Sequence, residues 1–145
     1  MILKSLLREG RLKPHQTSQN EIRDLLAIVE RDINDAQDSN VSTDWRFAIA
    51  YNAALQLSII PLYCKGYKPV SGGHHFIVFQ SIKLTLGNKF KGLSDYFDSC
   101  RNKRNITEYD RSGEITNTET EELIAEVKKF KKQIVEWLKK EYPNK

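Results

Sequence analysis

A chain of 145 residues and 16.8 kDa is about one domain, long enough to bury a core. Its 39% hydrophobic and 29% charged content is that of a soluble globular protein, and seven Gly with four Pro leave little room for a turn-rich β-fold. The net charge of +4 permits an anionic partner without requiring one, and two cysteines without CxxC spacing argue against a structural zinc site.

Residues 2–9 read as a short helix, broken by Gly10 and Pro14. The N-terminal apolar run is too short for a signal peptide. No window approaches the roughly 18 uninterrupted apolar residues of a membrane span, so no membrane partner is expected and the expected compartment is the cytoplasm. His15 falls in a loop and carries no chemistry. Thr17 or Ser18 can cap the next helix, with Glu21 placed to complete a capping box on Ser18. Ile22, Leu25, Leu26, Val29 and Ile33 then recur at helical period up to Ala36.

After the polar tract 37–40, Ser42, Thr43 and Asp44 offer caps for a helix over about 44–64. It is apolar around most of its circumference, which places it at the centre of a bundle or against a partner subunit. Trp45 and Tyr51 read as core, and Ala48, Ala50, Ala53 and Ala54 let neighbouring helices approach closely. Pro61 falls inside the last turns and Gly66 is the natural stop. Residues 67–73 read as loop.

A further helix runs from His74 to Gly87, although its Phe76–Phe79 run has strand-like composition. Residues 93–110 follow as the fourth major helix. Leu93, Phe97 and Cys100 form its apolar line, and continuing that line lands on Arg104. A guanidinium on a buried stripe is costly unless it is ion-paired or faces a polar cleft. Arg101, Asn105 and Tyr109 make a second line beside it, and Arg104 and Glu108 are an i, i+4 pair. Thr116 to Thr118 cap the last helix, 118–142, whose stripe is Leu123, Ile124, Val127, Phe130, Ile134, Trp137 and Leu138. Its lysines form a solvated face, and both cysteines sit on apolar helix faces as buried hydrophobes. The expected fold is therefore all-α: one domain, an up-and-down bundle of four to five major helices.

The run Arg101-Asn102-Lys103-Arg104-Asn105-Ile106-Thr107-Glu108-Tyr109-Asp110 resembles the signature of the HEPN superfamily. That pattern is an arginine, usually followed by a polar residue, then four to six residues and a histidine. Arg104 and Asn105 match its front half, and Tyr109 stands where the histidine is often found. Asp44-Trp45 through Leu55, Gly66 to Pro69, and Gly73-His74-His75 follow the order of some small bacterial and archaeal members. The likeness covers about residues 18–140, with 1–145 as one HEPN-like domain and its core over about 18–142.

The resemblance implies a helical bundle that dimerises, with the arginine segments of two subunits lining a shared cleft. It also implies an RNA- or nucleotide-binding module, with metal-independent ribonuclease chemistry in members that cleave. Arg104 would steady phosphate with Arg101 and Asn105, since guanidinium presents a planar fork to phosphate oxygens. Tyr109, a poor base at neutral pH, would contact phosphate or base. His74 or His75, at a helix start, is the candidate replacement histidine, alongside a plain helix-start role. No metal or cofactor is implied. Three functions stay open. One is a binding module whose ribonuclease activity is weak or lost. Another is an active endoribonuclease toxin paired with a nucleotidyltransferase-like antitoxin. The third is a structural dimerisation module.

Overall fold

The structure is a computed structural model and describes residues 2–70, 74–109 and 115–143, without the side chains of 106–109. It is an all-α helical bundle with one small sheet. In chain order the elements are α1 (Leu3–Arg8), β1 (Leu12–Pro14), α2 (Gln19–Ala36), α3 (Thr43–Cys64) and β2 (Tyr67–Pro69). Then come α4 (His75–Leu86), a 3₁₀ turn (Asn88–Phe90), α5 (Lys91–Tyr109) and α6 (Asn117–Glu141).

Local chemistry sets the helix ends. Ser18 caps α2 by accepting the Glu21 N–H at 3.1 Å. The expected capping box does not close there. The Glu21 carboxylate instead takes the Thr17 hydroxyl at 2.7 Å and the His15 ring at 2.6 Å. At α6 the box does form: Thr116 Oγ1 accepts the Glu119 N–H at 3.0 Å, and Glu119 accepts the Thr116 N–H at 2.9 Å. Ser42 is the N-cap of α3 but makes no side-chain cap bond. Pro61 lies within α3, and Gly66, at φ +95°, ends it in a backbone conformation that a side chain would strain.

α3 is the central element, packed against α2, α4, α5 and α6. Phe47, Tyr51, Leu57 and Ile60 from α3 meet Val29, Phe79, Phe97 and Phe130 in one core. A satellite core of Leu6, Leu12, Leu62 and Ile77 anchors α1 and the sheet. α3 is long and apolar enough to cross a membrane by length and composition, which the count of uninterrupted apolar residues did not register; 67% of its most apolar window is buried inside the fold.

Three further expectations are corrected. Residues 67–69 are strand, not loop: Tyr67–Pro69 pairs antiparallel with Leu12–Pro14. Each segment carries a proline, which gives up a ladder donor and is tolerated because both strands are edges. Trp45 is 68% exposed, not core, while its neighbour Arg46 is buried. Neighbouring helical residues point about 100° apart, and an all-round apolar helix leaves its own rotation open. His15, far from idle, packs against Tyr63 with the ring centroids 4.4 Å apart and the planes tilted by 50°. Cys64 and Cys100 are buried and unpaired with each other, and burial pushes the Cys100 thiol up to about 11.

The His15–Glu21–Thr17 cluster carries a pH prediction. Burial would raise the Glu21 pKa, but the Thr17 and His15 hydrogen bonds and the His15 and Lys68 charges outweigh it and hold it below its ordinary value. A lowered folded pKa means stability that is present above the unfolded value and lost as pH falls through the folded one. Wild type should therefore lose stability on acidification from about pH 5 to 3 more steeply than Glu21→Gln. Urea midpoints across that range measure it; parallel curves would remove Glu21 from the acid limb.

Candidate functional site

The site is built where α3, the start of α4 and the second half of α5 meet. Phe97 and Cys100 bury the apolar line of α5, so Arg104, a turn further on, is carried over the α3 surface. Its guanidinium lies 5.0 Å from the Tyr51 ring centroid, within cation–π range. Tyr51 is fully buried, yet its hydroxyl oxygen lies 2.8 Å from His75 Nδ1. The tautomer decides the donor: with the proton on Nε2, the phenol donates to Nδ1. Arg101, one turn back, sits 5.7 Å from the Phe76 ring centroid and donates from Nε to Asp98 at 2.8 Å.

Burial drives the Tyr51 pKa well above that of an ordinary phenol, and the Arg104 and Arg101 charges only partly oppose it. Tyr51 is thus a neutral hydrogen-bonding post at all physiological pH. The arrangement supplies two guanidinium groups, a neutral phenol and an imidazole around one junction. Chemically it can hold an anion and hold or pass a proton.

The structure therefore brings Arg101, Arg104 and His75 together around Tyr51 and Phe76. Asn105 is half-buried and follows Arg104 on α5. The Tyr109 backbone closes α5, and the side chain expected to act there lies outside the described residues, as does that of Glu108. His74 is the N-cap residue of α4 and, with His75, borders a different cleft under the small sheet. Among the described residues no three His, Cys, Asp or Glu side chains gather as a metal site.

Two members of the site were not legible as such. Tyr51 reads correctly as core, but its hydroxyl also tethers His75. Phe76, 40% exposed, offers its face to Arg101. The only sequence signal for either was an aromatic at a helix position, which core packing explains equally well.

Fold and site together define an all-α bundle with an arginine–tyrosine–histidine junction at its surface. Compared with protein-family models, curated proteins and solved structures, the chain matches none of them.

Proposed function

We propose that this protein is a HEPN-like RNA- or nucleotide-binding module whose ribonuclease activity is weak or lost. Arg104 and Arg101 hold phosphate, with Asn105 beside them. The observation that carries the reading is the convergence of both arginines on Tyr51 and Phe76 next to His75. Both guanidiniums lie half-buried over aromatic faces, Arg101 also paired with Asp98, and a planar guanidinium fork suits phosphate oxygens. In a homodimer two such junctions would line one cleft.

The His75–Tyr51 hydrogen bond favours one second reading, a metal-independent endoribonuclease. There His75 would carry the proton that the motif histidine carries elsewhere, oriented by Tyr51.

The test is binding and cleavage of a mixed RNA pool with EDTA present, comparing wild type with Arg104→Ala and His75→Ala. The binding module predicts RNA affinity that falls steeply with salt and drops about tenfold or more in Arg104→Ala. It predicts no cleavage by any of the three. Wild-type cleavage abolished in both variants selects the nuclease. Affinity and salt dependence unchanged in Arg104→Ala would leave the arginines structural and end the proposal.

A further inference from the structure

The small sheet places Lys13 and Lys68 directly opposite each other. Cross-strand partners project from the same face with Cβ atoms about 4.5–5.5 Å apart, and like charges in that position repel. Neither lysine makes an ion pair among the described residues. The nearby Glu21 carboxylate feels Lys68 but is committed to Thr17 and His15. A repelling pair built into a two-stranded sheet is a cost that a bound anion would relieve.

Both lysines border a cleft of about 290 Å³, as does His74. No acidic side chain is among the described residues lining it. Leu55, Ile59 and Tyr63 of α3 supply apolar lining. The volume is at the small end of ligand pockets, which run about 300–1,000 Å³ and combine an apolar lining with a few placed polar groups. Cationic groups beside an apolar lining select a ligand with a charged end and an apolar body.

We propose that this cleft binds a small amphipathic anion of the phosphate-monoester class. Lys13, Lys68 and His74 take the phosphate, and an aromatic ring lies on Leu55 and Ile59 against Tyr63. The cleft shares His75 with the Arg104 junction, but its two lysines take no part in that junction, and the proposal stands whether or not Arg104 binds RNA. The same chemistry is offered by a free small molecule, such as a mononucleotide, and by the phosphorylated end of an RNA strand.

The experiment is titration of the full chain with phenyl phosphate and with adenosine monophosphate, read by calorimetry and by the imidazole resonances of its three histidines. Saturable binding that shifts the His74 resonance is expected, with inorganic phosphate weaker than either probe. Lys13→Gln and Lys68→Gln should each weaken binding about tenfold, while Lys132→Gln, an exposed lysine of α6 outside this cleft, should hold affinity within about twofold. Lys13 is exposed and Lys68 partly so, and circular dichroism should show either variant folded. In the Arg104→Ala protein, adenosine monophosphate binding more tightly than a 5′-phosphorylated oligoribonucleotide identifies a free ligand, and the reverse identifies a strand end. No saturable binding by folded wild type, or affinity unchanged in the double lysine variant, overturns the proposal.

Discussion

Phe97→Ala should lower the unfolding free energy by about 3–5 kcal/mol, the range for truncating a fully buried aromatic. Phe97 is 0% exposed at the point where α5 meets α4 and α6. Its ring centroid lies 5.6 Å from that of Phe79 and 5.7 Å from that of Phe130. Those neighbours are large rigid rings on separate helices, so they cannot close over the void without moving backbone. For a chain of this size the loss corresponds to a drop in Tm of about 10–15 °C. Phe97→Leu, which keeps most of the volume, should cost markedly less. A loss below about 1 kcal/mol in Phe97→Ala would mean that α5 is not held through this contact.

Arg46→Ala should cost about 2–4 kcal/mol, from lost charged hydrogen bonds and an orphaned carbonyl. Arg46 reaches from the first turns of α3 to both neighbouring helix ends. Its Nε donates to the Ala36 carbonyl at 2.6 Å, at the end of α2, where helical carbonyls lack partners. The other guanidinium nitrogens donate to Asn117 at 3.2 Å and to Glu121, both near the start of α6. Truncation leaves the Ala36 carbonyl buried, since Ala36 itself is 0% exposed. Glu121 is over half exposed, so Glu121→Gln should cost under about 1 kcal/mol. Chemical denaturation separates the two variants. Equal and small losses in both would reduce Arg46 to a surface ion pair.

Arg46 and Trp45 also mark where reading the chain stops. Polarity assigns the tryptophan to the core and leaves the arginine unremarked; the fold does the reverse. The apolar residues of α3 surround it, so one more or less on any side hardly biases its rotation. What decides it is that Arg46 can satisfy the ends of α2 and α6 at once. The α6 helix shows the opposite case. Its stripe is narrow, and Leu123, Val127, Phe130, Ile134 and Leu138 are all buried as their spacing requires.

The number and type of the helices, a cap at Thr17 or Ser18 and another within 116–118, the Gly66 stop and the buried line of α5 follow from the sequence by itself. Each depends on residues three or four apart, and short-range hydrogen bonds and periodicity determine it. The pairing of Leu12–Pro14 with Tyr67–Pro69 depends on segments distant in the chain, neither long enough to read as a strand. The meeting of Tyr51, His75 and Arg104 joins three helices and comes into being only when they pack. Arg104 was legible because it breaks an apolar line, and Arg101 because it stands on the polar line beside it. Their partners were not, because a buried tyrosine and a histidine at a helix start look the same in sequence whether they pack or act. Only the tertiary structure decides that, by setting one hydroxyl against one imidazole beneath a guanidinium.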